Sequence, residues 1–257
     1  MGQNDLSLIS ESKITSDTVM INQCDENKIL SEKVGSAQVR MICTTERGLT
    51  KSRNMAIRES DADICLLCDD DEIFESGYEQ GIINAYESIP DADVIAVRMK
   101  NVPCAFGDET KRLSGKDLFK IASWQISFKR KSIISAGVFF DELLGAGTSN
   151  GAEEELKFLT DCQKAGLKIY YAPVTAASVK QEKSTWFSGF DEKFFENRGA
   201  TTRYILGFFK SSAYAVYYVL KKKDMYKDDI SSWGAFKAIF RGIFKNKITK
   251  QKKELQK

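Results

Sequence analysis

Short runs of apolar residues alternate with amphipathic segments over the first two-thirds of the chain. Runs rich in Val, Ile and Met predict strands at 15–22, 36–43, 61–68, 91–99, 123–130 and 167–173. Apolar residues at helical spacing predict helices over 49–60, 77–89 and 151–166. Pro173 is expected to end the last strand. This alternation predicts an α/β fold with a mostly parallel sheet covered on both faces by helices.

Beyond about residue 180 the pattern becomes aromatic and helical. We therefore expect an α/β domain over 1–180 and a helical, aromatic and basic extension over 181–257. Within about 140° of a helical wheel, the extension places an apolar stripe formed by Trp233, Phe236, Ile239, Phe240, Ile243 and Phe244. Basic residues flank this stripe, a pattern typical of a helix that lies on an anionic membrane surface through 230–250. Packing of the stripe against the domain is the alternative.

The composition narrows the chemistry. The 257 residues include no histidine, which excludes Ser-His and Cys-His nucleophilic arrangements and the usual zinc ligand. From Lys221 to Lys257 there are twelve Lys and Arg against four Asp and Glu, whereas the whole chain has a net charge of +2. The rest of the chain is therefore acidic, which argues against a broad nucleic-acid-binding face and predicts no nucleic-acid partner.

The cysteines and the apolar segments indicate the compartment. Most of the six cysteines lie in strand-like runs, so we expect them to be reduced and to act as small apolar residues, as in a cytosolic protein. MGQNDLSLIS has no basic start or long apolar core, so it is not a signal peptide. The stretch 204–220 is interrupted by Lys210 and is not predicted to span a membrane. We expect a cytoplasmic protein that is peripheral on the inner face of the cell membrane.

Three adjacent aspartates follow the strand predicted at 61–68, in LLCDDDEIF. Ligands of open α/β sheets bind at the carboxyl ends of strands, and Asp69, Asp70 and Asp71 lie at such an end. Oxygen ligands suit Mg²⁺ or Mn²⁺, and Asp69 and Asp71 can both turn toward one ion. A solvated loop that caps the helix starting near Glu75 is the alternative interpretation.

Two other charged clusters stand at element starts. ERGLTKSRN (46–54) brings Arg47, Lys51 and Arg53 toward a strand end, as a phosphate-binding site requires, although basic helix starts are common. Glu154 and Glu155 open the helix at 151–166 after the glycine-rich LLGAGTSNGA. A carboxylate there can act as general base toward a hydroxyl, whereas attraction to the helix dipole alone also explains it.

The order of these motifs resembles family 2 glycosyltransferases with the GT-A fold. The resemblance rests on ERGLTKSRNMAI, ADICLLCDDDEIF and GAGTSNGAEEELKFLTDCQKAGLKIYYAP, and it covers roughly residues 15–175. KSTWFSGFDEKFFENRGA (183–200) resembles the tail of bacterial members that build surface or capsular polysaccharides. The resemblance implies inverting, metal-dependent transfer of a sugar from a nucleotide-sugar donor to a hydroxyl of a glycan or lipid-linked acceptor.

The resemblance also implies a role for each matching residue. Asp69 and Asp71 fall on the DxD positions and would bind Mg²⁺ or Mn²⁺, which neutralises the diphosphate. Glu155 matches the catalytic base, and Glu154 is the second choice. Donor binding is expected at Arg53, Asn54, Asp69, Asp70, Arg47 and Asp25, with Asp70 the most tolerant of the aspartates to substitution.

Two departures from the family pattern give a second hypothesis. Family members carry an apolar strand before a segment like MGQNDLSL, and this chain starts at Met1, so either the sheet lacks that strand or the true start lies upstream. Asn22 and Gln23 stand where the family commonly has an acidic residue, with Asp25 further along. The alternative is therefore a non-catalytic or truncated GT-A domain that serves as a membrane-associated partner or binding subunit.

Overall fold

The structure, a computed structural model, describes residues 2–180 and 189–255. It divides into two compact units, one formed by Met1–Phe140 and Glu155–Glu182 and the other by Asp141–Glu154 and Lys183–Lys257. Residues 183–188 of the KSTWFSGFDEKFFENRGA segment lie outside the described residues, as does the boundary predicted at residue 181. The assignment of 1–180 and 181–257 to separate domains stays a prediction.

The first unit is built on strands covered by helices. Its strands are β1 (Thr18–Gln23), β2 (Lys28–Val34), β3 (Ala37–Thr44), β4 (Ile64–Leu66), β5 (Glu72–Phe74), β6 (Val94–Met99), β7 (Lys111–Leu113), β8 (Ile126–Lys129) and β9 (Ile169–Val179). Its helices are α1 (Ser7–Glu11), α2 (Leu49–Glu59), α3 (Tyr78–Ser88), α4 (Arg130–Ala136) and α5 (Glu154–Lys164), with 3₁₀ turns at Gly115–Lys120 and Ser123–Gln125. The predicted helices at 49–60, 77–89 and 151–166 are therefore present.

The strands form two sheets. The smaller has the order β1-β3-β2, and the larger has the order β4-β8-β6-β9-β5, with β7 also paired to β9. Among the described pairs, only β1–β3 and β6–β9 are parallel. The expectation of mostly parallel strands was wrong in this respect, because apolar composition gives no strand direction. The hairpin partner β2 was missed because KILSEKV exposes most of its residues and contains no apolar run.

Pro173 was predicted to end the last strand, and this prediction was wrong. β9 continues to Val179, and its register against β6 shifts between Ala96, which faces Tyr171, and Arg98, which faces Thr175. Proline lacks the N–H that a regular ladder needs, and it is tolerated at such irregularities. The strand can therefore pass through Pro173 and pair with β5 further along.

The core of the first unit lies between the larger sheet and α3. Ile82 and Tyr86 of α3 pack in one buried cluster with Ile95, Val97 and Ala176 of the central strands. A second buried cluster joins α1 to the smaller sheet and contains Ile9, Val39 and Met41. Ile64 and Leu66 of β4, the strand that precedes the three aspartates, pack against the first of these clusters.

The second unit contains α6 (Glu192–Lys221), α7 (Lys223–Tyr226), α8 (Ser232–Lys245) and α9 (Lys247–Leu255). α6 and α8 cross with their backbones in contact, because a Cβ at Gly199 would lie 2.0 Å from the carbonyl oxygen of Ile239 and one at Gly242 would lie 2.0 Å from that of Glu196. Gly207 interrupts α6 with φ 80° and ψ 178°, a conformation open to glycine. The predicted α/β fold with a helical C-terminal region is confirmed.

The apolar stripe of α8 is divided between packing and solvent. Ile239 and Ile243 are buried in the core of the second unit, whereas Trp233 and Phe244 remain 65% and 68% exposed. The aliphatic side of the stripe, with Ile239 and Ile243, therefore packs against the protein. The membrane-surface prediction for 230–250 now concerns only Trp233 and Phe244, which we call the aromatic edge of α8. Within residues 2–180 and 189–255, no helix has the length and apolar character needed to cross a membrane.

Candidate donor and acceptor site

The three aspartates lie in the turn that joins β4 to β5 in the first unit. β4 is short and ends at Leu66, and β5 begins at Glu72 directly after the third aspartate. Asp70 is exposed, whereas Asp69 and Asp71 are half-buried. The main-chain oxygen of Asp71 accepts a hydrogen bond from the N–H of Lys180 over 2.7 Å, which ties the turn to the end of β9.

Arg53 of α2 contacts the first of these aspartates. Its Nη2 donates to Oδ1 of Asp69 over 3.1 Å, and the arginine side chain is only 8% exposed. The guanidinium also lies over the ring of Phe140, 5.3 Å from the centroid. The hydroxyl of Ser123 donates to Oδ2 of Asp69 over 3.5 Å. The structure therefore brings together Arg53 and Asp69, two residues predicted to bind the donor.

Glu72, which was not predicted as a site residue, is buried beside the aspartates. Its Oε1 accepts the N–H of Asp69 over 2.7 Å, and its Oε2 has no hydrogen-bond partner among the described residues. Burial raises the pKa of Glu72 to about 9, and the neighbouring Asp69 and Asp71 charges also raise it. The only sequence signal was a fourth acidic residue directly after the three aspartates.

The side-chain amide of Asn54 binds the main chain of Phe140, the last residue of the range Met1–Phe140 in the first unit. Nδ2 donates to the carbonyl of Phe140 over 3.0 Å, and Oδ1 accepts the Phe140 N–H over 2.8 Å. Asn54 is 1% exposed. This pairing gives Asn54 a structural role beside Arg53, and its donor-binding role stays a prediction.

Arg47 and Asp25, both predicted to bind the donor, form an ion pair with each other. Nη2 of Arg47 donates to Oδ1 of Asp25 over 2.7 Å on the surface of the first unit. Next to them, the amide of Gln23 donates to the carbonyl of Gly48 and accepts its N–H, over 3.0 and 3.1 Å. Asn22 makes the same kind of double contact with the main chain of Gln3, over 2.9 and 2.7 Å. Uncharged amides at Asn22 and Gln23 thus fix the loops that flank the strand end.

The glutamates at the start of α5 differ in their surroundings. In the second unit, Oε1 of Glu153 forms an ion pair with Nη1 of Arg198 over 2.9 Å. Glu153 has φ 71°, which is unfavourable for a non-glycine residue. Glu154 is buried, whereas Glu155 is half-buried in the first turn of α5. The assignment of the base to Glu155, with Glu154 as second choice, stays a prediction.

The donor set in the β4–β5 turn fits a hard divalent cation. Asp69 and Asp71 offer carboxylate oxygens, and the partnerless Oε2 of Glu72 lies in the same short segment. A different group of described residues, Cys24, Glu26 and Cys43, places its ligand atoms within 4.8 Å of one another. That group contains two thiols, which do not suit Mg²⁺ or Mn²⁺. All six cysteines are free, as predicted, but only Cys43 and Cys162 are buried, so the expectation of buried apolar cysteines was wrong for the other four.

The family comparison agrees with this geometry. Residues 24–140 match the sequence model described as "Glycosyl transferase family 2", and they contain Arg53 and all three aspartates. This part of the chain is therefore similar to glycosyltransferases of family 2. No curated protein matches the chain in sequence.

Solved structures share the fold. The structure of S. aureus TarS 1–349 in complex with UDP-GlcNAc aligns with a TM-score of 0.56 at 16% identity, over 84% of this chain and 66% of that one. A second structure of S. aureus TarS 1–349 aligns with a TM-score of 0.52 at 13% identity, over 90% of this chain. This chain spans 62% of the length of that second structure. The predicted GT-A type of α/β fold is confirmed.

A third solved structure is less similar. It is the mannosyltransferase PcManGT from Pyrobaculum calidifontis in complex with GDP-Man and Mn²⁺, with a TM-score of 0.49 and 13% identity over 94% of this chain and 66% of that one. At this level the similarity carries no argument about this chain.

Proposed function

We propose that this protein is an inverting, metal-dependent glycosyltransferase that transfers a sugar from a nucleotide-sugar donor to an acceptor hydroxyl. The observation that carries the proposal is the contact between Arg53 and Asp69 at the end of a strand, inside the region that matches the family. An arginine beside carboxylates suits a ligand that brings both phosphates and a divalent cation. Asp69 and Asp71 would hold Mg²⁺ or Mn²⁺, which when bound neutralises the leaving diphosphate.

The other residues predicted to bind the donor also lie in the first unit. Arg53 would balance phosphate charge, and Asn54 would keep the neighbouring Phe140 segment in place through its two main-chain hydrogen bonds. Arg47, Asp25 and Asp70 lie on exposed surface of the same unit, and they would contact the nucleotide. Arg47 can exchange its salt bridge with Asp25 for a phosphate contact at low cost, because exposed ion pairs contribute little.

Glu155 is our choice of general base. It would accept the proton of the acceptor hydroxyl while the oxygen bonds to the anomeric carbon and the bond from that carbon to the diphosphate breaks. Attack opposite the leaving group inverts the configuration. The difference in burial supports Glu155 over Glu154, because Glu155 is half-buried at the start of α5 whereas Glu154 is buried. Glu154 is the second choice.

We further propose a role in bacterial cell-surface polysaccharide synthesis, on a glycan or lipid-linked acceptor at the cytoplasmic face of the membrane. The support is the motif order of the chain and the similarity of its fold to S. aureus TarS, whose structure binds UDP-GlcNAc. The aromatic edge of α8, with Trp233 and Phe244 exposed, supports contact with an anionic membrane.

Donor hydrolysis tests the catalytic assignment. With Mn²⁺ present, Glu155→Gln should lower kcat for hydrolysis of a panel of UDP- and GDP-sugars by about a thousandfold with little change in donor affinity. Glu154→Gln is the matched control, and it should lose far less. If the wild-type protein binds a nucleotide-sugar but never hydrolyses or transfers it, the non-catalytic alternative is correct. If Glu154→Gln is the inactive variant, the base is assigned to the wrong glutamate.

A further inference from the structure

The C-terminal part of α6, from Phe208 to Lys221, is apolar on two opposite sides. Ala215, Tyr218 and Val219 face inward and are buried in the core of the second unit. The outer side is exposed: 86% for Phe209, 42% for Val216, 53% for Tyr217 and 68% for Leu220. A helix that is apolar all round is normally covered on all sides. The outer side of this segment is therefore exposed to solvent, although its apolar composition is typical of a buried helix face.

The exposed residues form one surface rather than scattered positions. Val216 and Leu220 follow Phe209 by seven and eleven residues. This spacing places all three within about 20° of one line along the helix. The surface continues onto α8, because the ring of Phe208 lies 5.7 Å from that of Phe244, which is also exposed. We call Phe209, Val216, Tyr217, Leu220, Phe208 and Phe244 the outer apolar face.

Every charged residue between Phe208 and Lys223 is basic, although Glu192 and Glu196 lie near the start of α6 and Asp224 follows Lys223. No Asp or Glu occurs from Arg198 to Lys223. Lys210 is exposed at one end of the face, and Lys221, Lys222 and Lys223 are exposed at the other. Cations at both ends of an apolar strip match a surface that combines anionic head groups with an apolar interior.

A second copy of this chain fits the outer apolar face less well. In an antiparallel two-fold pairing of this helix segment, Lys221–Lys223 of one copy would approach Lys210 of the other, and a parallel pairing would place each cluster against itself. Like charges brought together oppose such pairing. The charge pattern thus favours an anionic lipid surface over self-association.

We propose that the outer apolar face docks on an anionic lipid bilayer, with α6 lying in the interface. Phe209 and Leu220 insert among the acyl chains, Tyr217 keeps its hydroxyl at head-group level, and the lysines contact the lipid phosphates. This surface lies mainly on α6 and shares only Phe244 with the α8 stripe that the sequence indicated, whose aliphatic side is buried. The proposal rests on and deepens the membrane contact of the proposed function by naming the surface that makes it, and it does not depend on transferase activity.

Co-sedimentation of the full chain with lipid vesicles tests the proposal. The wild-type protein should bind equimolar phosphatidylcholine–phosphatidylglycerol vesicles at least about tenfold more tightly than pure phosphatidylcholine vesicles, and high salt should weaken this binding. The double variant Phe209→Ser/Leu220→Ser should bind the mixed vesicles about tenfold more weakly. Ile29→Ser, at an exposed position of β2 in the other unit, is the matched control and should bind as the wild type does.

A second pair of variants isolates the charge. Lys221→Gln/Lys222→Gln/Lys223→Gln should lose about tenfold or more in binding to the mixed vesicles. Lys33→Gln/Lys116→Gln/Lys131→Gln removes three exposed charges from the first unit and should not. Equal binding to both kinds of vesicle, or wild-type binding by the Phe209→Ser/Leu220→Ser variant, would overturn the proposal. The proposal would also be overturned if sedimentation velocity showed a wild-type dimer that is absent in the Phe209→Ser/Leu220→Ser variant. A second copy of the chain would then be the partner of the outer apolar face. Circular dichroism shows whether each variant is folded.

Discussion

The guanidinium of Arg53 donates a hydrogen bond over 3.1 Å to the carboxylate of Asp69. This contact joins α2 to the β4–β5 turn, and it is almost fully shielded from solvent on the arginine side. Arg53 keeps its orientation because the guanidinium also lies over the ring of Phe140. One arginine therefore sets the direction of the first aspartate of the candidate metal site.

Replacement of Arg53 by lysine should impair donor binding although the charge is kept. An ammonium group cannot reproduce both the planar contact with Phe140 and the hydrogen bond to Asp69. We expect Arg53→Lys to weaken Mn²⁺-dependent binding of nucleoside diphosphates about tenfold in calorimetric titrations. Arg58→Lys is the control, because Arg58 lies on the same helix over the ring of Phe139. Equal losses in both variants would indicate a general effect on α2 rather than a role at the site.

Asn54 should contribute strongly to stability. Its amide satisfies both the N–H and the carbonyl of Phe140 in a buried setting. Asn54→Ala leaves these two main-chain groups unpaired, so the free energy of unfolding in urea should fall by about 2 to 3 kcal/mol. Asn84→Ala removes an exposed amide that bonds only locally to Gln80, and it should change stability by less than about 0.5 kcal/mol. Similar stability of the two variants would refute the structural role of Asn54.

Glu72 should make the stability of the metal-free protein depend on pH. Burial raises its pKa from the ordinary value of 4.5 to about 9 in the folded state, so the folded protein holds a proton that the unfolded chain releases. The contribution is fully present below pH 4.5 and is lost as the pH rises toward 9, with a slope of at most about 1.4 kcal/mol per pH unit.

Urea unfolding across this pH range in EDTA is the measurement. Glu72→Gln cannot ionise and keeps an oxygen for the Asp69 N–H, so its stability should fall less steeply with pH than that of the wild type. Glu75→Gln, which removes a carboxylate paired with Lys100 on the surface, is the control and should retain the wild-type slope. An unchanged slope in Glu72→Gln would mean that Glu72 ionises normally.

Arg198 and Glu153 should stabilise the second unit as a pair. Their ion pair is largely buried, and Arg198 also lies over the rings of Phe194 and Tyr218. Arg198→Met leaves the Glu153 carboxylate buried without its cation, so the free energy of unfolding should fall by about 3 kcal/mol. Arg198→Met/Glu153→Gln should recover much of this loss. Additive effects of the two substitutions would show that the residues do not act as a pair.

The sequence predicted those parts of the molecule that local patterns encode. Helices α2 and α3 begin and end within one residue of the expected limits, because their apolar spacing and flanking residues are clear. The antiparallel insertion of β8 and the passage of β9 through Pro173 depend on partners far along the chain, and no local pattern reports them. The hairpin strand β2 escaped prediction because its side chains are mostly exposed.

The same limit applies to the site. Charged residue types and their order indicated Arg53 and the three aspartates, and the structure places Arg53 against Asp69. Glu72 looked like one more surface acid, and only the tertiary structure shows that it is buried. Arg198 lies 45 positions from Glu153, so their pairing could not be deduced from spacing.

The central claim is that Asp69 and Asp71 hold a divalent cation that binds the donor diphosphate. Its most direct test is calorimetric titration of UDP and GDP into wild-type, Asp71→Asn and Asp70→Asn proteins, each with Mn²⁺ or with EDTA. The wild type should bind one of the nucleotides at least about tenfold more tightly with Mn²⁺, Asp71→Asn should lose that difference, and Asp70→Asn should keep it within about threefold. Nucleotide binding that is the same with Mn²⁺ and EDTA, or Mn²⁺-dependent binding that survives in Asp71→Asn, would contradict the claim.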